Sequence, residues 1–281
     1  MNPLNLFNFV MTWIFITGKL KEAQDALILY RSSDSEAVKE FKDIVDSTRQ
    51  SEESETSLRE LVSFPYATPL LTSLLLLLAQ QTTGITGITI HAVKIFENLG
   101  TSVDPASCTV VIAIVNIITT FIAAKVHARY NRKPVFLVFS VLLVTIELLI
   151  GTFFWAKSGT GWYNSVADSY GFIALVLILL FYVVFGLSLG PMPFMYMSEG
   201  LPSKIRGPGS ALAVTFNMLA VFIVLQGFSP LVDVLGYHYS LISFAVVTAV
   251  AVAVIHSLMI ETKGRSITEI DEYYEKLRRL K

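Results

Sequence analysis

The chain has 281 residues, of which 53% are hydrophobic and 15% charged, with a formal net charge of -1. Soluble domains are nearer a quarter charged, so the composition points to a bilayer as the solvent, and the lack of a basic excess excludes nucleic acid as a partner. The single cysteine, Cys108, excludes an internal disulfide and argues against a structural zinc.

The first apolar run, Leu4 to Ile16, is too short to cross a bilayer. No charged n-region precedes it and no small-residue cleavage site follows, so it does not read as a signal peptide. It reads as an interfacial segment or the stump of an upstream span. Residues 18–62 form a polar linker. Leu20, Ala23, Leu27 and Tyr30 recur at helical spacing, and Ser33 to Glu36 is a capping-box pattern before the stripe Val38, Phe41, Ile44 and Val45. Two short amphipathic helices are expected there, then a Ser- and Glu-rich link from Ser47 to Ser57.

A helix needs about 20 apolar residues to cross about 30 Å of hydrocarbon. Six stretches reach that length: 66–90, 107–128, 134–155, 171–197, 209–233 and 238–260. Lys and Arg concentrate on alternate connections: Lys125, Arg129, Arg132 and Lys133 on one, Lys204 and Arg206 on another, and Lys263, Arg265 and Lys276 in the tail. By the positive-inside rule those ends are cytoplasmic, and both termini with them. In the tail, Ser266 to Glu269 is a second capping box, and Ile267, Ile270, Tyr274 and Leu277 share one helical face, suited to packing on the cytoplasmic ends of the bundle. The expected organisation is a short apolar segment (1–17), a cytoplasmic helical linker (18–62), a six-helix transmembrane bundle (63–261) and a tail helix (262–281).

Polar residues in hydrocarbon are costly and turn inward. In the first span Ser73, Gln80, Gly84, Gly87 and His91 share a helical face, with Gln81 beside it. Amides offer donors and acceptors to a hydroxyl-rich ligand. Interhelical hydrogen bonding with close packing at the glycines explains the same pattern. The fourth span contains Gly190, Pro191 and Pro193. Each proline removes a backbone donor, and a span broken at membrane depth marks binding sites in transporters. Asn116 and Asn217 are isolated candidates for lining a cavity. Glu147 lies mid-span, where an ionised carboxylate is expensive, and could serve proton coupling. His91, His127 and His256 show no metal-ligand pairing, and no nucleophile–base motif or phosphate loop occurs. The expectation is therefore a carrier without cofactor, not an enzyme.

Four motifs carry a family resemblance. Gln80-Gln81-Thr-Thr-Gly84-Ile85 resembles the QQxxGI of the seventh helix of the sugar porters of the major facilitator superfamily. Arg129-Tyr-Asn-Arg132-Lys133 resembles their RxGR[RK] loop. Gly190-Pro-Met-Pro193-Phe194, followed by Glu199 and Arg206, resembles the GPxPW and E…R signature. Glu261-Thr-Lys-Gly264-Arg265 resembles the PETKGR segment after the last helix. Leu201 to Pro208 is most similar to the facilitated trehalose transporter branch. The resemblance implies an all-α membrane fold, helices 7 to 12 of twelve, and transport of trehalose or a hexose across the plasma membrane. It implies sugar contacts at Gln80, Gln81 and Asn116, and a cytoplasmic charge network of Arg129, Arg132, Glu199, Arg206 and Glu261. Thr86 stands where the family has an asparagine, Phe194 where it has a tryptophan, and Asn217 just before another such tryptophan position, which adds these three to the candidate site.

Because alternating access needs two halves, three readings follow: a truncated transporter, a half that pairs with an N-terminal six-helix half from another chain, or a regulator or scaffold that does not transport. A proton-coupled symporter is a variant of the first two.

Overall fold

A computed structural model describes residues 61–99, 104–158, 171–265 and 267–279. The chain divides into two compact units, Met1–Thr56 and Ser57–Lys281, and the described residues all fall in the second. The Leu4–Ile16 run, the two expected amphipathic helices and the Ser266 cap lie outside the described residues.

The described elements are α-helical: α1 (Ala67–Thr82), α2 (Ile85–Ile90), α3 (Ala92–Leu99), α4 (Pro105–Arg129), α5 (Arg132–Ser158), α6 (Gly171–Leu187), α7 (Met192–Glu199), α8 (Ser203–Leu258) and α9 (Ile267–Arg279). Five helical stretches among them are long and apolar enough to cross a membrane: Ala67–Ile90, Ser107–Arg129, Arg132–Lys157, Phe172–Glu199 and Ser203–Leu258. The last accounts for two of the six expected spans. As one straight rod its 56 residues would run about 84 Å, close to three hydrocarbon thicknesses. Gly236 interrupts it with φ 74° and ψ 165°, a conformation that favours glycine. The rings of Phe228 and Phe244 stack 6.1 Å apart, although in a straight helix they would be separated by about 24 Å of rise. The element is therefore a hairpin that reverses at Gly236, and its arms carry the stretches 209–233 and 238–260.

Local chemistry sets the other boundaries. Asp104 caps α4, its carboxylate accepting from the Ser107 backbone N–H at 2.9 Å and from the Ser107 hydroxyl at 3.1 Å. The first span bends at Gly84, whose φ of 68° ends α1 and opens α2. The tail helix α9 buries Ile270 and Tyr274, and burial beside the Tyr196 phenol pushes the Tyr274 phenol up from its ordinary pKa. Asp271 of α9 accepts from the Ser203 N–H at 2.8 Å and from the Ser203 hydroxyl at 2.5 Å, so the tail caps the start of α8. Packing of the tail on the bundle, expected from its apolar stripe, is observed.

The hairpin α8 packs on α1 and α5, α6 packs on α5 and α4, and α3 packs on α4. Leu76, Phe136, Leu143, Ile150, Phe181 and Tyr182 lie in the shared core. The surface carries many large apolar side chains. Ile117, Phe121, Phe222, Ile223 and Val250 are exposed, whereas Gln80, Gln81, Asn217 and Thr248 are buried. That distribution is the reverse of a water-soluble domain and fits a bundle whose outside is wetted by lipid. The protein is a multi-pass membrane protein.

The glycines of the first span resolve the alternative that their spacing left open. A β-carbon at Gly87 would lie 2.2 Å from the Phe228 ring, and one at Gly84 would lie 2.9 Å from the Phe244 ring. His91 stacks on Phe228 at 5.2 Å. A helix hairpin, not a ligand, fills the space these glycines open. Gly87→Ala should therefore lower the thermal midpoint in detergent, by an overpacking cost of about 1–3 kcal/mol. Gly227→Ala meets nothing within 4 Å and should leave the midpoint unchanged or raise it. Equal midpoints for the two variants would contradict this packing.

Candidate functional site

The fourth span stops at Leu187 and resumes at Met192, with Ser188 to Pro191 in a turn. In an α-helix each N–H donates to the carbonyl four residues back. Pro191 cannot serve the Leu187 carbonyl, and Pro193 cannot serve that of Leu189. A carbonyl left alone in hydrocarbon costs several kcal/mol. Gln80 of α1 supplies the missing donor: its Nε2 donates to the Leu189 carbonyl at 3.1 Å and to the Gly190 carbonyl at 3.1 Å. Within the break, the Gly190 N–H donates back to the Phe185 carbonyl at 2.9 Å.

From this fastener the polar cluster extends across the bundle. Gln81 Nε2 donates to Asn217 Oδ1 on α8 at 3.1 Å and makes a long contact of 3.5 Å with Gln80 Oε1. The Thr86 hydroxyl donates to Gln81 Oε1 at 2.7 Å. Gln80, Gln81, Thr86 and Asn217, four of the six expected sugar-contact residues, are thus one hydrogen-bonded unit. An amide carries two donor hydrogens and an oxygen with two lone pairs. The two Nε2 groups are engaged within the protein. Among the described residues Asn217 Nδ2 donates to nothing, and Gln81 Oε1 accepts only from Thr86. Phe194 sits on α7 just past the break and is 49% exposed. Asn116 is not brought to it. That side chain is half-buried on α4, and its backbone carbonyl accepts from Thr120 at 2.8 Å.

At the Lys- and Arg-rich end of the bundle, three of the five expected network residues meet. Arg132 grips Glu199 in a two-pronged pair, Nη2 to Oε1 at 2.9 Å and Nε to Oε2 at 3.2 Å, with 11% and 33% of the side chains exposed. Arg132 also donates through Nη1 to the His127 carbonyl. Glu261 receives the backbone N–H groups of Arg132 at 2.9 Å and Lys133 at 3.1 Å, which caps the start of α5. The Thr262 hydroxyl completes the set, donating to Glu199 Oε2 at 2.8 Å. Arg206 instead donates to the Leu201 carbonyl, from Nε at 3.2 Å and from Nη2 at 2.8 Å, and Arg129 is exposed.

Sequence reasoning missed Thr262, the Leu189 and Gly190 carbonyls, and Asp271. Of these only the Leu189 carbonyl had a signal to find, since Pro193 leaves its oxygen in need of a donor. Glu147 is 1% exposed, and neither of its oxygens has a hydrogen-bond partner among the described residues.

Comparison with known proteins bears out the family resemblance. The family model for "Sugar (and other) transporter" matches residues 11–274. The facilitated trehalose transporter Tret1 of Bombyx mori is 32% identical over 260 residues, covering 92% of this chain and 51% of that protein. Tret1 of Apis mellifera ligustica is 31% identical over 264 residues, covering 93% and 52%. The chain thus spans about half the length of the curated relatives it matches. Among solved structures, the proton:xylose symporter XylE bound to 6-bromo-6-deoxy-D-glucose superposes with a TM-score of 0.74 at 22% identity, over 94% of this chain and 54% of that one. The inward-open form of XylE from E. coli gives 0.63 at 20% identity, over 90% and 50%. At this identity the likeness establishes the fold alone, that of the major facilitator superfamily. With most of its length matched by the family model and its motifs in family order, the chain belongs to the sugar transporter family.

Proposed function

We propose that the chain is the C-terminal, sugar-binding half of a facilitated sugar transporter, with trehalose or a hexose as substrate, working against a second six-helix half. The observation that carries this reading is the Gln81–Asn217–Thr86 unit, fastened by Gln80 to a broken helix. Discontinuous helices near the midplane are where transporters bind substrate. Asn217 Nδ2 and Gln81 Oε1 offer a donor and an acceptor to sugar hydroxyls, and the exposed Phe194 ring offers a surface for the apolar face of a pyranose. The motion that alternating access requires would break and remake the Arg132–Glu199 pair, which sits at the end of the bundle that we place in the cytoplasm with both termini. We place the protein in the plasma membrane, as a carrier and not an enzyme, with 18–62 as its cytoplasmic linker, 63–261 as the bundle and 262–281 as the tail.

Co-reconstitution of this chain with a six-helix N-terminal half in liposomes should give saturable uptake of labelled trehalose or hexose. Asn217→Ala and Gln81→Ala should each lower it about tenfold, the scale of one buried hydrogen bond. No uptake from any such pair, together with a polypeptide captured through residues 18–62, would favour a regulator or scaffold instead. Glu147, buried with no hydrogen-bond partner among the described residues, supports a second reading as a proton-coupled symporter. That reading predicts uptake driven by an inward proton gradient and uncoupled from it in Glu147→Gln; uptake indifferent to the gradient removes it.

For the charge network, Arg132→Lys keeps the charge but loses the two-pronged geometry. It should destabilise the chain by about 1–2 kcal/mol, less than a fully buried pair would lose because Glu199 is partly solvated. A thermal midpoint equal to wild type would show that the pair contributes nothing to the fold.

A further inference from the structure

The link between α4 and α5 holds two arginines three residues apart, and their surroundings differ. Arg132 turns inward to Glu199. Arg129 is exposed, with no hydrogen-bond or ion-pair partner among the described residues. It borders a cavity of about 620 Å³ formed by the end of α4, the link residues and the first two turns of α5. The volume lies within the range of about 300–1,000 Å³ typical of small-molecule sites. One wall is apolar: Val126, Val135, Val138 and Phe139. The other part is polar: Arg129, Tyr130 and Asn131. Tyr130 is 55% exposed and Val138 61%, so the cavity opens at the surface of the bundle. Lys125, one turn before Arg129 on the same helical face, is exposed as well.

We propose that this cavity binds an anionic phospholipid, its phosphate headgroup held by Arg129, Tyr130 and Asn131 and its acyl chain lying along Val126, Val135 and Val138. Three features carry the assignment. The cavity sits where a membrane-crossing helix gives way to a polar link, the depth at which a headgroup meets its chain. Its polar and apolar walls are segregated in the sequence that an amphiphile presents. Its exposed Arg129, backed by Lys125, matches a negative phosphate; basic pockets at the cytoplasmic ends of membrane helices recognise headgroups on this principle. A soluble anion would leave the valine wall without a purpose, and a neutral apolar ligand would leave Arg129 without one. A consequence follows for the rest of the bundle. The link that a bound headgroup would fix is the same one that sets Arg132 against Glu199, so occupancy should stiffen the charge network. The proposal rests on the membrane placement and not on sugar transport, and its readout requires no uptake.

The test uses the full chain, reconstituted in vesicles of phosphatidylcholine with a minority of phosphatidylserine, extracted in mild detergent and weighed by native mass spectrometry. Phosphatidylserine should be retained over phosphatidylcholine by about fivefold or more, the scale of one cation at a membrane surface, and should raise the thermal midpoint. R129Q should abolish the preference. V138W, which fills the groove without changing charge, should reduce retention of both lipids. K276Q, which removes a charge from the tail, should change nothing. Equal retention of the two lipids by wild type, or an undiminished preference in a folded R129Q, overturns the proposal. So does displacement of the lipid by soluble glycerol phosphate at matched concentration, which would make the site one for a free anion. A photo-crosslinker at position 138 that captures a polypeptide and no lipid would assign the groove to a protein partner instead.

Discussion

The amide nitrogen of Gln80 does in this chain what a backbone N–H would do in an unbroken helix. Proline at 193 leaves the Leu189 carbonyl without its usual donor, in a part of the protein where water is scarce. The nearest remedy comes from another span, 109 residues away in sequence. Because the same nitrogen also reaches the Gly190 carbonyl, α1 is tied to the break at two points. That tie sets where Gln81 stands, and Gln81 in turn reaches Asn217 on α8 and Thr86 on α2. Three membrane-crossing segments are thereby joined through side chains whose loss would leave buried polar atoms unsatisfied. The candidate sugar site is built on this repair.

Close packing at two levels supports the cluster. The stacked Phe228 and Phe244 rings close over Gly84 and Gly87, so the α8 hairpin lies against the first span with no room for a side chain. At the other end, Glu199, Arg132, Glu261 and Thr262 draw the ends of α7 and α5 and the segment after α8 into one set of charge-assisted bonds. The two levels differ in how they can yield. Aromatic packing on glycine is directional and does not depend on water. A half-solvated ion pair can exchange its partner for solvent at modest cost. The carrier proposed above needs a firm floor under its site and a breakable contact at its edge, and the described residues contain one of each.

Much of this was legible in the sequence. Apolar run lengths gave the spans, and Pro191 and Pro193 gave the break. Amides in the first span marked the inward face, and the charged family motifs marked Arg132, Glu199 and Glu261. What escaped sequence reasoning depended on partners distant in the chain. The spacing of Gly84 and Gly87 says that something approaches closely; only the fold identifies it as Phe228 and Phe244. Gln80 reads equally as a ligand contact or as an interhelical hydrogen bond until the orphaned carbonyl it serves is seen. The division into 209–233 and 238–260 was legible, whereas the residue that makes the turn was not: the reversal falls on Gly236, whose φ of 74° favours glycine. Arg129 and Arg132 belong to one motif, yet the link turns them to opposite environments, Arg132 paired and Arg129 exposed.

The central claim is that Gln80 holds the broken span in place, and amide hydrogen exchange across residues 186–194 of the detergent-solubilised chain tests it most directly. Gln80→Leu keeps the bulk and removes the donor. Exchange in this stretch should then quicken about tenfold or more, the scale of one lost buried hydrogen bond, while exchange in the arms of α8 away from the cluster stays at wild-type rates. Unaltered exchange at the break in Gln80→Leu would contradict the account, because the carbonyls of Leu189 and Gly190 would then have no need of the amide that reaches them.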